Sequence, residues 1–125
     1  MSKVMLVDDD IILVSMYKKK FENEGYEVIT VGDGEGVLEK AKEEAPDLIL
    51  LDLMMPKVNG IDALKQLKSD SLTKLIPVIL LTNLSVSDQD ANRGIELGAL
   101  TYLVKADYTP AEIVDKAEKA ISFRS

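Results

Sequence analysis

The sequence predicts an α/β domain of the doubly wound kind, a parallel sheet covered by helices on both faces. Two observations carry this. Short apolar runs alternate five times with longer segments of helical period, and the third and fourth runs are continuously apolar. Continuous runs mark central parallel strands buried on both sides, whereas a half-exposed strand alternates. A third observation sets the scale. At 125 residues the chain has the length of one domain, enough to withdraw about two-thirds of its unfolded surface from water. Both ends adjoin predicted structure, so one domain over 1–125 is expected; Met1-Ser2 looks like a native start, but the sequence leaves open whether the domain stands alone or was cut from a longer regulator.

Lys3–Val7 is a short apolar run that ends in three aspartates. Ile11–Glu24 follows with Val14, Tyr17 and Phe21 at helical spacing. Its opening Ile11-Ile12-Leu13-Val14 looks strand-like alone, but Lys18-Lys19-Lys20-Phe21-Glu22 decides for helix and Gly25 supplies the stop. Tyr26–Val31 is the second strand, bounded by Gly32, Gly34 and Gly36, and Glu35–Glu44 the second helix, closed by Pro46. Asp47–Leu51 is the third strand, Gly60–Ser69 a helix, Ile76–Leu81 the fourth strand and Val86–Leu97 a helix ending at Gly98. Leu100–Val104 is the fifth strand. Thr109-Pro110-Ala111-Glu112 then forms a capping box with proline at the first helical position, and Ile113, Ala117 and Ile121 make the buried stripe of the last helix.

Composition removes several classes of function. There is no cysteine, which excludes a disulfide scaffold and thiolate metal sites. There is no histidine, so the chain holds no Ser-His-Asp triad and no histidine-ligated zinc, and carries no phosphohistidine of its own. Any metal site must be built from oxygen, which favours Mg²⁺, Mn²⁺ or Ca²⁺. The net charge of −7 argues against duplex DNA or an anionic membrane as a direct partner, since binding either begins with phosphate neutralisation by Lys and Arg. No apolar stretch approaches a bilayer span and no secretory signal is visible; a cytoplasmic location is expected.

In an open α/β sheet, ligands bind beyond the carboxyl ends of the strands. Asp8, Asp9 and Asp10 follow the first strand, Asp52 ends the third, Thr82 and Asn83 follow the fourth, and Lys105 follows the fifth. The second strand, at an edge, offers only glycines and Asp33. Several carboxylates at one rim repel unless a counter-charge is present. A hard divalent cation answers that need, and beside a lysine it makes an anion site that suits a phosphoryl group. A carboxylate can itself be the nucleophile, giving an acyl phosphate. Asp52 is the best candidate, standing alone at the end of the most apolar strand.

At this point Val7-Asp8-Asp9, Leu51-Asp52, Met55-Pro56, Asn59-Gly60, Thr82 and Tyr102-Leu103-Val104-Lys105 resemble the response-regulator receiver domain, in particular its single-domain chemotaxis type. The resemblance covers essentially the whole chain. It implies a flavodoxin-like (βα)5 fold with strand order 2-1-3-4-5. It implies that Asp52 accepts a phosphoryl group from a phosphohistidine on a sensor histidine kinase or a histidine phosphotransfer protein, with Mg²⁺ (or Mn²⁺) as cofactor. Asp9 would hold the ion directly, Asp8 largely through water, with Asp52 and the Met54 carbonyl as further ligands. Thr82 would donate its hydroxyl to the phosphoryl group. Lys105 would pair with Asp52 before modification and with a phosphoryl oxygen after it. Tyr102 would change burial as Thr82 moves, switching the surface of the fourth helix, fifth strand and fifth helix for a downstream protein. Such a domain phosphorylates itself and turns over no external substrate.

Each of these residues also has an ordinary explanation. Asp10 reads as a helix N-cap. Thr82, Lys105 and Tyr102, taken singly, are a strand-end hydroxyl, a solvated lysine and a core-rim aromatic. Asn59-Gly60 reads as a turn and helix start, and Met54 and Met55 as loop packing. What favours the phosphoryl site is the ordered set on one rim.

The sequence departs from the family pattern at two places. The family usually has proline after the lysine; here Ala106 follows Lys105. A cis bond before alanine costs about 2.5–4 kcal/mol, so the loop either stores strain or runs trans. The residue after Thr82 is usually very small; Asn83 narrows access or hydrogen-bonds the phosphoryl group. In this family the residues two after the phosphoacceptor and two after the threonine influence attack by water. Here they are Met54 and Leu84, which shield phosphorus and orient no water, so slow self-dephosphorylation is expected.

Three other readings compete. A flavodoxin-type electron carrier needs a hydroxyl- and glycine-rich phosphate loop where three aspartates stand. A Mg²⁺-dependent aspartate-nucleophile phosphatase usually has a second acid two residues after its nucleophile, and neither Asp8-x-Asp10 nor Asp52-x-Met54 sits in a chain long enough for a substrate cap. A degenerate receiver that acts by binding alone is raised only by Asn83 and Ala106.

Overall fold

The computed structural model describes residues 2–53, 59–82 and 88–124. Five strands and five helices alternate: β1 (Lys3–Val7), α1 (Ile11–Asn23), β2 (Glu27–Val31), α2 (Val37–Glu44), β3 (Leu48–Asp52), α3 (Gly60–Ser69), β4 (Val78–Thr82), α4 (Asp88–Glu96), β5 (Thr101–Val104) and α5 (Pro110–Arg124). The strands form one parallel sheet in the order β2-β1-β3-β4-β5, the expected doubly wound, flavodoxin-like topology.

The sheet separates two apolar layers, as the alternation of side chains along a strand requires. On one side Met5, Ile49, Leu51, Val78 and Leu80 pack with Val37 and Ala41 of α2 and Ala63, Leu64 and Leu67 of α3. On the other, Val4, Leu6, Leu48, Leu50, Ile79, Leu81 and Leu103 pack with Tyr17 and Phe21 of α1 and Ile113, Val114 and Ala117 of α5. Every residue of β3 and β4 is buried, which is why both read as uninterrupted apolar runs.

Local signals place the helix starts. Asp10 caps α1, its Oδ1 accepting from the Leu13 N–H at 3.1 Å. Asn59 caps α3 by accepting from the Asp62 N–H at 2.9 Å. At α5 the capping box is closed from both sides: the Thr109 N–H donates to Glu112 Oε1 at 2.9 Å and the Glu112 N–H to Thr109 Oγ1 at 3.2 Å. Capping of this kind contributes about 1 kcal/mol per helix start.

Several boundaries differ from the sequence reading by one to two residues, and those that bear on the site have a physical reason. The second helix starts at Val37, after a 3₁₀ turn over Gly34–Gly36. Asp33 caps that turn, accepting from the Glu35 N–H at 2.9 Å, and two glycines in three residues disfavour a full α turn there. Strand β4 begins at Val78 because Pro77 has no N–H to give the ladder. Strands β3 and β4 each run one residue further than the apolar pattern suggests, so Asp52 and Thr82 are strand residues with backbones fixed by the sheet. The fourth helix is described from Asp88 onward; its expected start at Val86 lies outside the described residues.

Candidate functional site

Parallel strands bring all five carboxyl ends to one rim. Asp8 follows β1, with its backbone N–H bonded to the Val31 carbonyl at 3.1 Å. Asp52 closes β3, paired in register with Leu81 of β4. Thr82 closes β4, paired with Val104. Lys105 follows β5 and opens a 3₁₀ turn that runs to Asp107.

Asp8, Asp52, Thr82 and Lys105 are the buried polar side chains of this rim, with Asp52 only 1% exposed. Charges so far from water need compensation. Lys105 supplies it: its Nζ donates to Asp8 Oδ2 at 2.5 Å and to Asp52 Oδ2 at 3.2 Å. The other Asp8 oxygen, Oδ1, accepts the Asp10 N–H at 2.9 Å. The sequence reading paired Lys105 with Asp52; the amine in fact bridges both acids and lies nearer Asp8. Asp9, one residue on, is exposed. Asp8, Asp9 and Asp52 each offer a carboxylate oxygen within 4.8 Å of the others. An all-oxygen trio of this size fits a hard divalent cation and suits zinc or copper poorly. The Lys105–Ala106 bond is trans, which settles the alternative left by the absent proline, and the amine still reaches both acids.

Two features of the site were not legible beforehand. The first is Gly60. A Cβ at this position would stand 2.5 Å from the Asp52 carbonyl oxygen and 2.6 Å from Leu53 Cα. Its N–H also donates to the Leu53 carbonyl at 3.0 Å. The start of α3 therefore rests directly on the backbone that carries Asp52, and only glycine permits that approach. The second is Tyr17, buried in the layer with Leu6, Leu50 and Leu81. Burial pushes its phenol up to about 12, with the negative charges of Asp8, Asp10 and Asp52 adding to the effect.

Tyr102 lies on the edge strand β5, opposite Leu80 and two residues before the Thr82–Val104 pair, and is 37% exposed. Asp10, the third acid of the run, is used as a helix cap. Met54, Asn83 and Leu84 lie outside the described residues. Beside Asp8 an open groove of about 290 Å³ runs between α1 and β2, lined by Ile11, Val14, Ser15, Lys18 and Thr30. Among the described residues, no helix is long and apolar enough to cross a membrane.

The family profile "Response regulator receiver domain" matches residues 4–118. The chain belongs to the response-regulator receiver family. It is 42% identical over 125 residues to the alkaline phosphatase synthesis transcriptional regulatory protein PhoP of Bacillus subtilis, covering 98% of this chain and 49% of PhoP. It is 49% identical over 105 residues to the transcriptional regulatory protein CpxR of Escherichia coli, covering 84% of this chain and 43% of CpxR. The receiver thus spans about half the length of these curated relatives. The solved chemotaxis protein CheY4 of Vibrio cholerae superposes with a TM-score of 0.87 at 32% identity, covering 96% of this chain and 98% of that one. The receiver is accordingly a phosphoryl-accepting signalling domain of the two-component type.

Proposed function

We propose that Asp52 is the phosphoacceptor, and that the domain takes its phosphoryl group from a phosphohistidine on a sensor kinase or a histidine phosphotransfer protein. The observation that carries this is the buried Asp52 carboxylate facing the Lys105 amine at 3.2 Å, with oxygens of Asp8 and Asp9 within 4.8 Å. An Asp52 oxygen attacks phosphorus in line; the new P–O bond forms as the P–N bond to the donor imidazole breaks, and the electron pair leaves with the imidazole nitrogen. Lys105 follows the negative charge as it moves from carboxylate to phosphoryl oxygen. Thr82, at the adjacent strand tip, donates its hydroxyl to another phosphoryl oxygen.

Asp8, Asp9 and Asp52, with the Met54 carbonyl, would hold Mg²⁺ or Mn²⁺. When bound, the ion neutralises charge on the phosphoryl oxygens and the acids together. Tyr102 then changes burial as Thr82 is drawn to the phosphoryl group, and α4, β5 and α5 present a changed face to a protein partner. The net charge of −7 supports a protein over a nucleic acid as the direct partner of this domain. In this reading the domain is a cytoplasmic switch that turns over no external substrate. Exposed Ile11 and Ile12, at 81% and 76%, stand at the start of α1 near the acids, which supports a protein surface as the phosphoryl donor.

Intact-mass measurement with a small acyl-phosphate donor and Mg²⁺ tests the assignment. Wild type gains one phosphoryl unit and Asp52→Ala gains none. A wild type that stays unmodified, or an Asp52→Ala variant that is still modified, overturns it.

A further inference from the structure

Glycine is the poorest helix former after proline, yet Gly94 lies inside α4 and is buried. Packing explains it. A Cβ on Gly94 would fall 2.4 Å from Leu80 Cδ1, with Ile61 Cδ1 at 3.9 Å. Leu80 is fully buried within the layer formed with Ile49, Leu51, Ala63 and Leu64. Its methyl has little free space to enter in a close-packed interior. The helix backbone therefore sits flush on β4 at Gly94.

That point bears on the switch. Leu80 and Thr82 share a face of β4, because Ile79 and Leu81 belong to the opposite layer. Tyr102 is the register partner of Leu80 and lies on the same face, since its neighbour Leu103 packs into the opposite layer. With α4 held against β4, the Tyr102 ring stays partly in solvent, at 37% exposure. We infer that Gly94 is a positioning residue of the switch: by letting α4 rest on Leu80, it withholds the space over β5 and keeps Tyr102 outward in the unphosphorylated protein. Adding a side chain lifts α4, opens that space and draws Tyr102 inward without a phosphoryl group. The inference rests on the reading of Tyr102 as the reporting residue.

The test is the rate of nitration of Tyr102 by tetranitromethane, mapped by peptide mass, in unphosphorylated wild type, Gly94→Ala and the double variant Leu80→Val/Gly94→Ala. Tyr17 serves as the buried control. In Gly94→Ala, Tyr102 nitration falls about fivefold, the population change expected of a small conformational bias. In the double variant, which shortens the side chain beneath the new methyl, it returns to the wild-type rate. A Gly94→Ala protein that nitrates like wild type overturns the inference, as does a folded double variant that stays slow. If Gly94→Ala fails to fold, a double variant that folds and nitrates like wild type supports the inference, and one that remains unfolded overturns it. A separate arm with the acyl-phosphate donor distinguishes the underlying reading: phosphorylated wild type with unchanged Tyr102 nitration defeats the switch role of Tyr102, while the Gly94 comparison is scored in the unphosphorylated protein alone.

Discussion

The Lys105 ammonium bonds Asp8 at 2.5 Å, more closely than it bonds Asp52 at 3.2 Å. One cation from the C-terminal part of the chain thus holds two buried acids from its first half, 97 and 53 residues away in sequence. The amine provides the counter-charge that the acids need, and its contact with Asp52 keeps it beside the oxygen that, under the proposed function, would be modified.

Removing that amine should be costly and should make the fold depend on metal. Taking away one partner of a buried ion pair destabilises by about 3–5 kcal/mol. Lys105→Ala is expected to lose that much in urea unfolding with a chelator present. Millimolar Mg²⁺ should restore more stability to the variant than it adds to wild type, because a ligand that binds only the folded state stabilises it. Equal stability of the two proteins in chelator would count against the pairing.

Gly60→Ala tests the seat of Asp52. The new methyl would press on backbone atoms, the Asp52 carbonyl oxygen and Leu53 Cα, which cannot rotate aside as a side chain can. Overpacking of this kind costs about 1–3 kcal/mol. A displaced nucleophile slows in-line transfer, so the initial rate of phosphoryl uptake should fall about tenfold or more. Wild-type uptake and unfolding in this variant would show that the contact does not govern Asp52.

Tyr17 gives a pH dependence with a defined sign. Its phenol is raised from 10.0 to about 12, chiefly by burial, so the folded state holds the proton more tightly than the unfolded state. The resulting stability is complete below pH ~10 and is lost as pH rises through the folded value. Tyr17→Phe removes this ionisation. Relative to wild type, the variant should lose less stability between pH 10 and pH 12, and absorbance titration should lack its most alkaline phenolate. Parallel alkaline unfolding curves would refute the assignment.

If Asp52 is the phosphoacceptor, as proposed, Met54 and Leu84 are expected to influence the lifetime of the acyl phosphate. Neither side chain can orient an attacking water, so the label should persist well beyond seconds in a chase experiment. Met54→Glu or Leu84→Asn should shorten it by roughly tenfold, less than the ~10²–10⁴ a fully positioned base supplies. A wild-type lifetime of seconds would contradict the shielding argument.

Much of the receiver was legible because its determinants are local. Leu48–Leu51 announces a buried strand and isolates Asp52 at its tip; Thr109 and Glu112 announce α5; Asp10 and Asn59 announce the caps of α1 and α3. What escaped depends on distance in space. Lys105 and Asp8 are 97 residues apart, and no pattern states which of two acids an amine will approach more closely. Gly94 reads as a weak spot in a helix until Leu80 is seen beneath it. Gly60 reads as a turn residue, and its closeness to the Asp52 carbonyl exists only once α3 is docked. The start of α2 was missed because glycines left the choice between a 3₁₀ and an α turn to the Asp33 cap.

The position of β5 at the margin of the sheet has a consequence for how the molecule yields. Asp52 stands on a central strand, laddered on both sides by β1 and β4, whereas β5 is laddered on one side only. Amide exchange should therefore be slower on β3 than on β5. Under the proposed function, then, the covalent event would fall on a strand held from both sides and its readout on a more yielding one, so neighbours could sense the change without the frame around Asp52 being loosened.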